Sequence, residues 1–215
     1  MNMPRAILVG AGGHAGVLAD TLAAIGALVE GLVTPERELH GTQRHGLRVL
    51  GDDESVLRYP PEEVVLVNAI GSVGDLALRR NAYQRFTSRG YKFLTLVHPS
   101  AIVSPGARLG EGAQVLARAV VQYGTVLREN CLVNTGAIVE HACVLGRDVH
   151  LATGAILCGS VEVGDGVHVG AGAVVIQGLR LGRQCTIAAG AVVIRDVPPG
   201  VTVAGVPARE VASNG

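Results

Sequence analysis

The chain has 215 residues with 18 basic and 18 acidic side chains, so its formal net charge is zero. Without an excess of basic residues the sequence offers no surface for nucleic acid or an acidic membrane, and we expect neither partner. Hydrophobic residues make up 48% of the sequence but aromatic residues only 3%, and the 30 glycines favour many short strands joined by tight turns.

The N-terminus leads directly into an apolar stretch at residues 6–9, without the charged region and cleavage site of a signal peptide. No apolar run reaches transmembrane length, so we expect a cytoplasmic protein. The cysteines lack CxxC spacing, and in a reducing compartment buried free thiols are favoured over disulfides or zinc. These cysteines are Cys131, Cys143, Cys158 and Cys185.

Residues 1–98 alternate between strand and helix patterns, which predicts a small parallel α/β sheet. His98 precedes Pro99, and because a residue before proline is pushed out of the helical conformation, we place the domain boundary there. The strand patterns lie at residues 5–10, 29–34, 64–71 and 92–99, and the helical patterns at residues 16–27 and 75–89.

A glycine-rich turn follows the first strand, where Gly10, Gly12 and Ala15 fit a GxGxxA pattern. The N–H groups of such a turn and of the helix behind it can receive a phosphate. The second strand ends without an acidic residue, Glu36 being the nearest, and the domain is short for two nucleotide halves. A single nucleoside diphosphate therefore fits better than NAD. The alternative is a tight strand-to-helix turn without a ligand.

Residues 99–215 form a repeat region, in which sixteen consecutive hexads run from Ala101 to Asp196. The third residue of every hexad is Val, Leu or Ile, and the first is mostly Ala, Cys or Val. The first and third residues of a strand point to the same side, so each hexad gives a small and a branched side chain to an interior. The glycine-rich remainder suits a corner, and we predict an all-β parallel β-helix.

The second position of every third hexad is aliphatic, which adds an 18-residue period. This period predicts three strands per coil and a triangular prism with one apolar outer face. Such a face needs a cover, and a trimer of identical prisms is favoured over cover by a terminal segment. We call these residues the aliphatic ladder: Ile102, Val120, Ile138, Ile156, Val174 and Val192.

His150 and His168 occupy the same second position one coil apart, so we expect their rings to be stacked neighbours. Stacked histidines suggest a metal site, but Gln114 and Thr186 hold the other rungs of that face and supply no third ligand. We therefore expect no metal.

The hexads, the turn GAGGHA at residues 10–15 and the sequence GVPARE at residues 205–210 resemble the hexapeptide-repeat acyltransferases. Within them the chain is similar to the nucleotide-sugar N-acetyltransferases. The similarity rests on residues 10–14, 69–71 and 98–100 and on NTGAIVEH at residues 134–141. It implies a left-handed β-helix, a homotrimer, acetyl-CoA as the donor and an amino sugar linked to a nucleotide as the acceptor.

The resemblance also implies roles for single residues. His141 matches the general base, and Ala142 stands where relatives carry an acidic residue next to that base. The acetyl-CoA contacts fall on His150, Ala171 and Ala189, and the nucleotide-sugar contacts on Gly12, Gly13, His14 and Gly71. Thr34 and Pro35 replace acidic residues that relatives carry after the second strand.

One histidine suffices for direct transfer, because an imidazole can accept the proton that a sugar amine loses when it attacks a thioester. A backbone N–H of residues 71–74 or of the β-helix would stabilise the oxyanion. We expect N-acetylation of a 4-amino-4,6-dideoxy sugar, with GDP-perosamine as the best single substrate. The alternatives are O-acetylation of a sugar such as a sialic acid, or a β-helix that binds a nucleotide sugar without catalysis. His141 would then be a solvated corner residue.

Overall fold

The computed structural model describes residues 5–71 and 76–211, and the chain divides into two compact units, Met1–Leu94 and Thr95–Gly215. The division lies just ahead of His98, because Leu96–Val97 already pairs with Gln114–Val115 of the repeat region. Neither unit contains, within these described residues, a helix long and apolar enough to cross a membrane.

The first unit is a five-stranded sheet in the order β3-β4-β2-β1-β5. Its strands are parallel except for the antiparallel pair β3 and β4. The elements are β1 (Arg5–Val9), α1 (Gly13–Ala24), β2 (Val29–Val33), β3 (Gln43–Arg44), β4 (Leu47–Gly51), β5 (Val64–Asn68) and α2 (Ala77–Thr87), with short 3₁₀ helices at Arg37–Leu39 and Asp53–Arg58.

Strand β1, which lies between β2 and β5, is apolar along its whole buried length, as expected for a parallel strand covered on both faces. Ile7 and Val9 pack in one core with Phe86 of α2. Where β1 ends, Gly10 has φ +117°, and a Cβ there would lie 2.9 Å from the Ala69 carbonyl carbon. Glycine therefore lets the ends of β1 and β5 approach each other.

Two features of this unit differ from the sequence prediction. The expected closing strand at residues 92–99 is present only in part: Phe93 forms an isolated parallel bridge to Leu66 of β5, whereas the strand Leu96–Val97 (β6) belongs to the second unit. The hairpin β3–β4 was not predicted, since β3 is exposed and polar. Its turn residues His45 and Gly46 have φ of 50° and 74°, the left-handed pair of a tight hairpin.

The second unit is the predicted left-handed parallel β-helix. Each hexad supplies a two-residue strand at its second and third positions, from β7 (Ile102–Val103) to β22 (Val192–Val193). These strands stack into three parallel sheets. Two short strands follow, β23 (Thr202–Ala204) and β24 (Arg209–Val211). First- and third-position side chains fill one continuous buried core. The four cysteines are free thiols, three of them buried.

The corners between strands explain the glycine content. The sixth hexad residue adopts a left-handed conformation at eight glycines and at six other residues, a region that most side chains avoid. The six non-glycine corner residues are Arg118, Asn130, Ala142, Asp148, Ser160 and Gln184.

The 18-residue period is confirmed, because the six residues of the aliphatic ladder pair in register along one sheet, which we call the ladder sheet. Ile102 is 65% exposed, and the other five side chains are partly exposed in the single chain. Strand β24 pairs with β23 at the end of a different sheet, so it does not cover the ladder.

Candidate active site

The first unit has a pocket of about 470 Å³ where β1, β2 and β5 end. Open parallel sheets bind ligands at the carboxyl ends of their strands, which gives this location its functional interest. The lining comes from the segments after β1, β2 and β5, from Asp53 after β4, and from α2. It includes Gly10, Ala11, Gly12, Thr34, Pro35, Glu36, Asp53, Ala69, Ile70, Gly71, Leu78, Asn81, Ala82 and Arg85.

The four residues predicted to contact the nucleotide sugar lie together at this pocket. Gly12 and Gly71 line it, and Gly13 and His14 open α1. A Cβ added to Gly71 would lie 3.9 Å from His14 Cβ, whereas one added to Gly12 or Gly13 would meet no atom within 4 Å. The glycines therefore leave the N-terminus of α1 open to an anion, which the positive end of the helix dipole attracts.

Two side chains outside the glycine-rich turn hold this pocket in shape. The His45 Nε2–H donates to the Ala11 carbonyl at 3.0 Å, and a Cβ at Gly16 would lie 2.9 Å from the His45 ring. Arg79 is buried and donates from Nη1 to the carbonyls of Asn68 at 2.8 Å and of Ile70 at 3.1 Å. Neither residue was predicted. His45 bonds to a segment that is distant in sequence, and Arg79 bonds to carbonyls on the other side of the turn after β5.

The charged side chains on one side of the pocket were also not predicted from the sequence. Arg85 of α2 donates from Nη1 to Asp53 Oδ2 at 2.8 Å and from Nη2 to Glu54 Oε1. Burial raises the pKa of the Asp53 carboxyl above its ordinary value, although the Arg85 guanidinium acts in the opposite direction. Thr34 and Pro35 give this side of the pocket no charge, so Asp53 and Glu36 are its carboxylates.

His141 lies at the corner after the ladder strand Ile138–Val139, and its side chain is exposed. A Cβ built on Gly159, one coil further, would lie 2.6 Å from both Nε2 and Cε1 of this ring. The imidazole therefore rests against the Gly159 backbone, in space that any other residue would fill. The 18-residue period could have revealed this pairing, because residue 159 follows residue 141 by one coil.

Ala142 follows His141 in the left-handed conformation, with φ +59°. Its N–H donates to the Tyr123 carbonyl at 3.0 Å, which ties the corner to the preceding coil. The Glu140 carboxylate accepts from the backbone N–H of His141 at 3.3 Å. Within residues 5–71 and 76–211 we find no hydrogen bond to the His141 ring, so no acidic residue of the described chain orients it.

The residues predicted to contact acetyl-CoA lie on another sheet and the corner that follows it. His150 and His168 are paired in register with ring centroids 4.9 Å apart, which confirms the predicted stack. Asn134 donates from Nδ2 to His150 Nε2 at 3.4 Å, and burial lowers the pKa of His168. No cluster of three metal-ligating side chains occurs in the part of the chain that the structure describes.

Ala171 and Ala189 stack on one corner, where the Gly190 N–H donates to the Ala171 carbonyl at 2.8 Å. A Cβ at Gly170 would lie 2.5 Å from the Ala189 nitrogen, so the coils are in close contact there. This corner leads into the ladder sheet, whereas the His141 corner leaves it. The predicted base and the predicted donor contacts therefore lie at opposite edges of the ladder sheet.

Known proteins resemble both units. The family model for the PglD N-terminal domain matches residues 5–86, and the model for the hexapeptide repeat of succinyl-transferase matches residues 107–141 and 160–195. No curated protein sequence matches the chain significantly.

Solved structures match almost the whole chain. A mutant of perosamine N-acetyltransferase from Caulobacter crescentus, in complex with CoA and GDP-perosamine, is 34% identical, with 98% of each chain covered and a TM-score of 0.90. The chain belongs to the hexapeptide-repeat nucleotide-sugar N-acetyltransferase family. The acetyltransferase domain of PglB from Neisseria gonorrhoeae FA1090, in complex with acetyl coenzyme A, is 36% identical over 97% of this chain and 100% of that one, with a TM-score of 0.91. WeeI from Acinetobacter baumannii AYE, at 24% identity and a TM-score of 0.88, shares the fold.

Membership of this N-acetyltransferase family fits the two candidate sites, one in each unit. The open N-terminus of α1 suits a nucleotide diphosphate, and the exposed corner imidazole suits proton transfer. The predicted oxyanion donor within residues 71–74 lies mostly outside the described residues, which omit 72–75.

We predict that Gly159→Ala displaces the His141 ring and lowers kcat about 100-fold, because small misplacements of a catalytic group have effects of that size. The thermal unfolding midpoint and the KM values should change little. Steady-state kinetics with circular dichroism melting measures both.

The matched control is Gly106→Ala, where the added Cβ would meet the Tyr123 ring on the same corner column instead of a histidine. That variant should keep nearly full kcat. Equal losses in the two variants would show that strain in the corner, rather than the position of His141, determines the rate.

Proposed function

We propose that the protein transfers the acetyl group of acetyl-CoA to the amino group of a nucleotide-linked 4-amino-4,6-dideoxy sugar, with GDP-perosamine as the best single acceptor. The observation that carries this proposal is the exposed His141 ring, seated on Gly159 at the edge of the ladder sheet. The solved relatives support the substrates, since they hold CoA with GDP-perosamine or acetyl-CoA.

In this proposal His141 is the general base of a direct transfer. The sugar amine attacks the thioester carbonyl, the C–N bond forms, and the imidazole takes the proton that the nitrogen must lose. The tetrahedral intermediate then collapses, the C–S bond breaks, and CoA leaves as the thiol or thiolate. No covalent enzyme intermediate is required, because both substrates are present together.

The binding roles follow the two sites. Gly12, Gly13, His14 and Gly71 would hold the nucleotide diphosphate at the N-terminus of α1. His150, Ala171 and Ala189 would contact acetyl-CoA along one corner of the β-helix, where the stacked alanines leave the corner unobstructed by long side chains. The four free thiols favour the reducing cytoplasm as the site of this reaction.

We further infer a homotrimer from the position of the base and the donor contacts. They lie at opposite edges of the ladder sheet, and the ladder itself is an apolar surface that needs a cover. Three chains that turn their ladders toward a common axis bring one edge of each chain against the other edge of its neighbour. His141 of one chain then faces the acetyl-CoA contacts of the next.

The test is release of free CoA with a panel of GDP- and UDP-linked amino sugars, hydroxylated sugars and no acceptor. We expect turnover with 4-amino-4,6-dideoxy sugars, fastest with GDP-perosamine, and loss of most activity in His141→Asn. Turnover with hydroxyl acceptors alone would favour an O-acetyltransferase. Binding of nucleotide sugars without any turnover would favour a non-catalytic binding protein.

A second prediction concerns the alanine beside the base. Aspartate at position 142 tolerates the left-handed corner and would place a carboxylate next to His141, which stabilises the imidazolium that forms. Ala142→Asp should therefore raise kcat roughly tenfold or more, the inverse of typical losses when such a partner is removed.

Ala142→Asn is its matched control, because asparagine suits the same backbone conformation without the charge. The expected order of kcat is Asp above Asn and Ala, with the last two similar. An equal increase in both variants would mean that relief of backbone strain at position 142, rather than the added charge, raises kcat.

A third prediction concerns assembly. Burying one branched side chain contributes about 1.5–3 kcal/mol, so replacing Ile138 and Ile156 by glutamate should dissociate the trimer. Sedimentation velocity measures the change. Val144→Glu is the control, since Val144 is 38% exposed on a different sheet, and it should leave the assembly intact. A monomeric parent protein, or a fully active folded monomer, would contradict the shared site.

A further inference from the structure

The nucleotide pocket carries a charge arrangement that phosphate binding does not explain. Its lining holds two carboxylates, Glu36 and Asp53, and the guanidinium of Arg85. Glu36 is exposed to solvent, whereas Asp53 is half-buried at the start of the 3₁₀ helix that follows β4. A carboxylate repels phosphate, so Asp53 must face a part of the ligand that offers neutral hydrogen-bond donors.

Asp53 is held in one orientation. Its Oδ2 accepts from Arg85 Nη1 at 2.8 Å, while the other nitrogen of the same guanidinium binds Glu54 outside the pocket lining. This ion pair holds the Asp53 carboxylate toward Arg85 through its Oδ2 atom. Its Oδ1 has no hydrogen bond to any residue in the described ranges, so the lone pairs of this atom are available to a ligand.

The order of the strands locates Asp53 along the ligand. The phosphate-binding turn follows β1, the segment Thr34–Glu36 follows the neighbouring β2, and Asp53 follows β4, which is next in the sheet. Two strand spacings amount to about 10 Å. A diphosphate at Gly12 would place its ribose beside the end of β2 and its base beside the end of β4.

The chemistry of a fixed carboxylate distinguishes two bases. Guanine presents two adjacent donors, its N1–H and its exocyclic amine, which a carboxylate can accept together. Uracil presents a single N–H between two carbonyl oxygens, and a carboxylate repels those oxygens. A site that pairs an oriented acceptor with the right donor discriminates against a ligand that lacks this donor.

We propose that Asp53, held by Arg85, is the residue that selects the nucleobase and that it makes the pocket specific for guanosine over uridine diphosphates. This selection rests on the proposed function, since it names the base of the same acceptor. Asp53 does not touch the reacting atoms and acts only on which nucleotide binds.

The test is calorimetric titration of the full chain with GDP and, separately, with UDP. The parent protein should bind GDP at least about tenfold more tightly than UDP, as expected for one good charged hydrogen bond. Asp53→Asn should lower that ratio at least about tenfold, because the amide nitrogen replaces an acceptor with a donor. The matched control Glu54→Gln loosens the other side of Arg85 without touching the lining and should keep the ratio of the parent.

Three results would overturn the selection by Asp53. They are tighter binding of UDP than of GDP by the parent, equal weakening of both nucleotides by Asp53→Asn, which would indicate a ribose contact, or the same change in Glu54→Gln. Acetyl transfer is measured separately, so the two proposals fail in different assays. A protein that selects GDP but never releases CoA would contradict the proposed function and retain the base selection.

Discussion

The backbone hydrogen bonds between successive coils are the interaction on which the β-helix depends. Strand N–H groups donate to the following coil, as Ile138 does to the Ala155 carbonyl at 2.8 Å. Corner N–H groups donate to the preceding coil, as Gly136 does to the Ala117 carbonyl at 2.9 Å. At most corners the sixth residue of the hexad makes this turn in the left-handed conformation, which glycine adopts without steric cost.

This regular stack also determines where chemistry can occur. Interior positions are filled by small and branched residues, so a functional side chain has to lie on an outer rung or at a corner. His150 and His168 use rungs of one sheet, and His141 uses a corner of the next. Their separation across the ladder sheet follows from chain order alone, and it is the structural reason why a single chain leaves the predicted base and the predicted donor contacts apart.

The sequence alone predicted the features of the β-helix that follow from its 18-residue period. The three sheets, the paired ladder and the stacked His150 and His168 follow from residue spacing, because each coil repeats the one before it. The same period could have indicated Gly159 as the neighbour of His141. In the first unit no period exists. Arg85 meets Asp53 across 32 residues of sequence, and the hairpin β3–β4 is too polar to register as a strand pattern.

The way in which the β-helix ends has a consequence for solubility. An open solenoid exposes unpaired strand edges, which can template the addition of another chain. Here each sheet receives a partner at its C-terminal end. Val197 bridges to Leu181, the Ala208 N–H donates to the Val192 carbonyl, and β24 runs antiparallel to β23. Residues 197–211 therefore cover the last strand edge of each sheet of the β-helix, which removes an edge to which another chain could add.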